Sequence, residues 1–175
     1  MKTTIITLFI IAILLLGCNN SKKELKEKDF LQKTQELVLS ENKVDQEFFF
    51  KIMLKNEVVE YSTTYLGNII NSQNDTLKFV TTNIFSGNFD YSKGGDAIIC
   101  IYNFKNQKIG YYYIGGAIKK PFKIVENNLY LPIQDTTCNQ TTTLSFKDSI
   151  PKEIFINCTE KGGNIYKFEN GNGTD

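Results

Sequence analysis

From residue 46 onward the chain is a succession of short apolar or alternating runs, closed about every ten residues by turn-forming residues, and this spacing limits the folds open to it. Phe48 to Leu54 and Val58 to Tyr65 flank Lys55-Asn56-Glu57, which reads as a hairpin. Asn71-Ser72-Gln73-Asn74-Asp75 is a turn cluster, and Thr76 to Phe85 then alternates in polarity. Gly87 to Gly95 reads as a loop. Asp96 to Phe104 is apolar on both faces, as a central strand requires. Further strands are predicted at Ile109 to Ile114, Phe122 to Val125, Leu129 to Ile133, Thr141 to Phe146, Glu153 to Asn157 and Asn164 to Phe168. No intervening segment is long enough for the helical crossover that parallel pairing needs. The expected fold is mainly β: an antiparallel meander of about 8–10 strands, closed as a β-sandwich or an up-and-down barrel.

A short helix is predicted ahead of this domain. Lys23 with Glu27 and Glu24 with Lys28 are spaced to pair on a helix face. Leu25, Phe30, Leu31, Leu37 and Val38 form its apolar stripe. With 13 Phe and 9 Tyr the chain has ample material for a core. Every basic residue is Lys and the net charge is only +1, a balance that argues against nucleic acid as a partner.

The N-terminus carries a different signal. Lys2 precedes an apolar run from Ile5 to Leu16 that is too short to span a bilayer and reads as an export leader. The run ends in Leu15-Leu16-Gly17-Cys18, which resembles the lipobox of bacterial lipoproteins. That resemblance implies cleavage before Cys18 and a lipid anchor on its thiol, strong enough to hold the protein to a membrane. The implied organisation is a signal peptide over 1–17, a lipidated tether and helical leader over 18–45, a β domain over 46–169 and a frayed tail over 170–175. Asn19 is not the Asp that retains some lipoproteins on the inner membrane. The expected location is therefore the cell membrane or the outer membrane, with the domain facing the periplasm or the cell exterior.

Three cysteines remain. Cys138 and Cys158 are equidistant from Asp148, in the turn expected between Thr141–Phe146 and Glu153–Asn157. A hairpin centred there sets the two cysteines opposite each other, close enough for a disulfide after modest adjustment. An exported domain meets the oxidising conditions that such a bridge needs. The same register puts Leu144, Phe146, Ile154 and Ile156 on one apolar face. Cys100 lies in the run Ala97 to Tyr102 and reads as a small core residue.

The chain has no histidine, which removes the usual Ser-His-Asp and Cys-His catalytic arrangements and the usual imidazole metal ligands. Phosphate-loop, dinucleotide and Ca²⁺-loop patterns are absent from the sequence. Glu60, Asp90 and Asp96 are available for acid–base work, but their spacing singles none of them out. No catalytic residues, cofactors or metals are expected, and the chain reads as a non-enzyme. Ser86-Gly87-Asn88-Phe89 followed by Tyr91-Ser92-Lys93-Gly94 resembles the paired motifs of membrane-bound c-type lysozyme inhibitors. In that family the matching Ser and Lys enter the lysozyme cleft, which implies binding roles for Ser86 and Lys93. Phe89 stands where the family has Tyr, and the two motifs lie closer together here. Tyr111-Tyr112-Tyr113 sends Tyr111 and Tyr113 to one face of a strand, a pattern suited to an interface. The expected function is a membrane-anchored envelope module that binds a protein or cell-wall partner, in the manner of an inhibitor or immunity protein. A barrel carrier of an apolar ligand and a structural envelope component are the alternatives.

Overall fold

The computed structural model describes residues 27–54, 57–87, 94–116, 118, 121–134, 139–158 and 162–171. One helix, α1 (27–41), leads into the strands. Leu31, Thr34, Gln35, Val38 and Leu39 face the protein, at the i, i+3, i+4, i+7, i+8 spacing of a helix stripe. Two of these five are polar, so the stripe is faint in sequence, and Leu37 lies off it in solvent. On the solvent side Lys33 pairs with Asp29 at 2.8 Å. Asn42, at φ 52°, ends the helix in the left-handed region that Asn tolerates.

Ten strands follow among the described residues: β1 (Glu47–Leu54), β2 (Glu57–Ile70), β3 (Thr76–Gly87), β4 (Gly94–Tyr102), β5 (Lys108–Tyr113), β6 (Lys123–Val125), β7 (Asn128–Gln134), β8 (Asn139–Ser145), β9 (Glu153–Cys158) and β10 (Gly162–Asn170). They form a seven-stranded sheet, β1-β2-β3-β4-β5-β10-β9, and a three-stranded sheet, β6-β7-β8, with every strand pair antiparallel. The mainly-β antiparallel fold with a leading helix is as the sequence predicts. Turn chemistry accounts for the links. The Oδ1 atoms of Asn71 and Asn103 each accept backbone N–H groups two and four residues on. The second of these turns stops β4 at Tyr102 and leaves Phe104 outside it, exposed.

The main core lies between the two sheets. Phe79, Ile99, Ile101 and Tyr112 point in from the large sheet; Leu129 and Leu131 point in from the small one. Phe146 closes it, its ring 4.8 Å from that of Phe79 in an edge-on contact. A bulge at Leu66 keeps the long strand β2 useful along its length. Before it Ser62 and Thr64 face inward; after it Gly67 and Ile69 do, because one extra residue reverses the alternation. Gly67 takes φ 113° there, a conformation that L side chains avoid. Two seams bring the sheets together as a flattened barrel. Asn127 exchanges hydrogen bonds of 2.8 and 2.7 Å with the backbone of Ile70, and the Asn157 N–H donates to the Thr142 hydroxyl at 3.2 Å.

The other face of the large sheet is covered in part by α1. Val38 and Leu39 pack on Tyr65, Val80, Ile98 and Cys100, while Phe30 meets Tyr61. Within this contact Gln35 is fully buried. Its amide donates to the Thr82 hydroxyl at 3.2 Å and lies 3.4 Å from the Cys100 sulfur. Its Oε1 accepts the Tyr102 hydroxyl at 2.6 Å, and Thr82 continues to Thr63 at 3.1 Å. Cys100 is buried as expected, and burial pushes its thiol pKa up.

Two expectations are corrected. The segments around Asp148 do not form a hairpin ladder: β8 pairs with β7, and β9 pairs with β10. Their link is tied elsewhere, which prevents a tight turn. Lys147 accepts the Ser72 N–H at 2.6 Å, Pro151 has no N–H to offer, and its carbonyl accepts the Tyr112 hydroxyl. Phe146, Ile154 and Ile156 still share the main core, with Leu144 against it. The last strand is also longer than predicted and lies between β5 and β9. It includes Asn170, assigned from sequence to the tail, which pairs with Gly110. Gly110 is required there, since a Cβ would lie 2.2 Å from the Phe168 ring.

Replacing Gln35 with Leu leaves the buried Tyr102 hydroxyl without its acceptor and Thr82 without its donor. Each unsatisfied buried group costs about 1–3 kcal/mol. A loss of about 2–4 kcal/mol is expected in urea unfolding, with the far-ultraviolet spectrum of the folded state unchanged.

Candidate functional site

Helix α1 covers only part of its sheet face. Tyr111 of β5 still packs against the cluster beneath the helix, but from Tyr113 across β10 and β9 that face is bare, and alternation decides which side chains occupy it. Tyr111 and Tyr113 point outward from β5 while Tyr112 points into the core. On β10 the outward set is Ile165, Lys167 and Glu169; on β9 it is Glu153 and Phe155, with Ile154 and Ile156 inside. Tyr113 is 47% exposed, Phe155 46% and Ile165 61%, large apolar surfaces for one continuous face.

The register brings these groups together in pairs. Ile165 is directly opposite Phe155, and Lys167 is opposite Glu153, with their charged atoms 3.9 Å apart. Gly163 leaves room for the Phe155 ring: a Cβ there would lie 2.7 Å from it. Tyr111 is opposite Glu169 and donates its hydroxyl to that carboxylate, while the Lys108 ammonium sits 4.6 Å from the Tyr111 ring centre. Continuing the β5–β10 register past Phe168 sets Tyr113 beside Lys167 and diagonal to Ile165, so the patch is the Ile165–Phe155 pair with Tyr113 at its corner and fixed charges alongside.

Of the residues singled out from sequence, Ser86 and Tyr113 fall at the same end of this outer face. Ser86 is opposite Gly94, Asp96 follows on the same face of β4, and Ile98 is opposite Tyr113. Asp96 hydrogen-bonds the Tyr113 phenol and thereby raises its pKa. Tyr111 lies one alternation further along β5, turned towards Glu169. Lys93, in the segment 88–93, lies outside the described residues, as do Cys18 and Cys138. Cys158 is opposite Gly162 on β9. The register that would have set it against Cys138 is not formed, and the proposed bridge itself falls outside the described residues.

Sequence reasoning missed Phe155 and Ile165. Ile154-Phe155-Ile156 is apolar on both parities, which suggests a strand buried on both faces; only the inward face is. Of the candidate acids, Glu60 pairs with Lys51 at 3.1 Å and Asp96 with Tyr113, while Asp90 lies outside the described residues. Among the described residues no cluster of three or more metal-ligating side chains occurs. An open cleft of about 360 Å³ lies beside Phe49 and Phe85, near the β1 edge. Comparison with models of known families, with curated proteins and with solved structures yields no match.

The Tyr111 phenol is pushed up from 10.0 to about 12, chiefly by its hydrogen bond to Glu169 and then by burial. A raised phenol pKa contributes stability that is present below pH 10 and is lost as pH rises towards 12. Glu169→Gln is expected to lower this titration towards the ordinary value, read from tyrosinate absorbance during alkaline titration. Tyr61, Tyr102 and Tyr112, raised further by burial, are expected to ionise only as the protein unfolds.

Proposed function

We propose that the chain is a lipid-tethered envelope protein that binds a protein partner without catalysis, using the Tyr113–Ile165–Phe155 face. The single observation carrying this reading is that patch of exposed aromatic and aliphatic side chains on the bare part of the sheet, bordered by Lys167, Glu153 and Glu169. An apolar centre with aromatic anchors and a polar border is the anatomy of a protein-recognition surface. The space left between the sheets, a cleft of about 330 Å³, is lined largely by polar side chains such as Glu47, Ser62, Thr64, Thr81 and Asn83, which supports a surface role over a barrel carrier of an apolar ligand. Ser86 and Asp96 extend the face towards the segment containing Lys93, so an inhibitor or immunity role belongs within the same reading.

Capture from envelope extract on the immobilised protein tests the surface. A partner should be retained by the wild-type chain and lost with the Phe155→Asp, Ile165→Asp double variant, because a central pair of anchors carries much of such an interface. Retention of the same partner by the double variant overturns the assignment.

The tether is tested separately. Cys18→Ala is expected to move the protein from the membrane to the soluble fraction, and mass spectrometry of the native N-terminal peptide should find acyl chains on Cys18. A variant that still fractionates with membranes as a processed form would overturn the anchoring.

A further inference from the structure

Among the described residues the two sheets have four edges, and three are occupied. The seam between Thr142 and Asn157 joins the β8 edge to the β9 edge. The Asn127–Ile70 hydrogen bonds fix the β6 side against β2. Since β6 meets β2, the strand beyond it, β1, projects past the barrel as an outermost strand with no further strand on it among the described residues. An edge of this kind is a template for strand addition, and proteins ordinarily blunt it with proline, a bulge, extra charge or a cover. Strand β1 has no proline, pairs with β2 without a bulge and carries a single lysine, which Glu60 engages. Its inward-parity side chains Phe49 and Met53 are 75% and 70% exposed.

We propose that β1 is a homodimerisation edge, pairing antiparallel with β1 of a second copy of this chain. Charge complementarity selects the occupant and the register. Residues opposed across antiparallel strands must share a face, so the two-fold axis passes through a residue. With Lys51 on the axis two ammonium groups face each other. With Phe50 on it, Phe49 meets Lys51 and Glu47 meets Met53, leaving the charges unmatched. With Phe49 on the axis, Glu47 faces the partner's Lys51 on both sides, Phe48 faces the partner's Phe50, and the two Phe49 rings meet. Lys51 then sits between its own Glu60 and the partner's Glu47, an alternating row of charge across the joined sheet. The Phe48–Phe50 contacts continue the apolar layer beneath α1, where both residues are already partly buried.

Sedimentation equilibrium of the full chain in detergent tests this. Glu47→Lys places lysine opposite lysine, and Lys51→Glu places carboxylate opposite carboxylate. Each variant is expected to weaken the dimer by about tenfold or more. Mixing the two variants restores both opposite-charge pairs, so a heterodimer should form with an affinity near that of the wild type. Circular dichroism checks that each variant is folded, as expected for substitutions on an edge strand. A wild-type chain that remains monomeric at high micromolar concentration overturns self-pairing and leaves the edge to a foreign strand. A dimer indifferent to both substitutions, or variants that fail to associate on mixing, overturns the register and with it the proposal.

Discussion

The central strands of the large sheet have to hide both faces, and the rest of the architecture follows from that constraint. Ala97, Ile99 and Ile101 of β4 need one cover; Ile98, Cys100 and Tyr102 need another. The three-stranded sheet supplies the first and α1 the second. A helix is about 10 Å across and strands lie about 4.8 Å apart, so a single helix shields two or three strands well. The large sheet has seven. A bare region on the helix side is thus a geometric consequence of one helix on a wide sheet, and the side chains there are free to serve another surface.

The contact holding that cover in place is polar as well as apolar. Gln35 reaches Thr82 and Tyr102 from α1, and Thr63 extends the chain of hydroxyls. Apolar packing alone would allow a helix to slide along a sheet at little cost, whereas buried hydrogen bonds are directional and expensive to leave unmade. Gln35 therefore fixes the helix position, and with it the boundary between covered and bare sheet.

Local chemistry in the sequence was a good guide wherever structure is local. The β1–β2 hairpin, the Asn71 turn and the two-faced burial of β4 all follow from residues close in sequence. So does the split of Tyr111 and Tyr113 from Tyr112. The failures are non-local. Nothing near Asp148 says that its flanking strands belong to different sheets; the reasons are the distant partners Ser72 and Tyr112. The insertion of β10 between β5 and β9 depends on Gly110 and Gly163, whose missing side chains leave space for rings from neighbouring strands. The helix stripe was faint because Thr34 and Gln35 are buried through hydrogen bonds, not hydrophobicity. The candidate face was half legible: Tyr113 stood out, while Phe155 and Ile165 needed the sheet order to reveal them as exposed.

The two proposed surfaces are compatible because the strand order separates them. Strand β1 begins the large sheet, and β10 and β9 end it. Pairing through β1 would fuse two large sheets edge to edge and leave both Tyr113–Ile165–Phe155 faces open. Counted across the strands at about 4.8 Å each, these faces would lie about 50–60 Å apart. A two-fold axis perpendicular to the sheet would keep both helices, and both bare faces, on the same side of it. Such a dimer would be bivalent: a partner that is itself dimeric or arrayed would meet the second face at an effective concentration set by that spacing, so modest affinity at each face could add to much tighter retention. The exposed hydrophobicity at the two ends of the sheet order would then serve different ends, self-association at β1 and recognition at β9–β10.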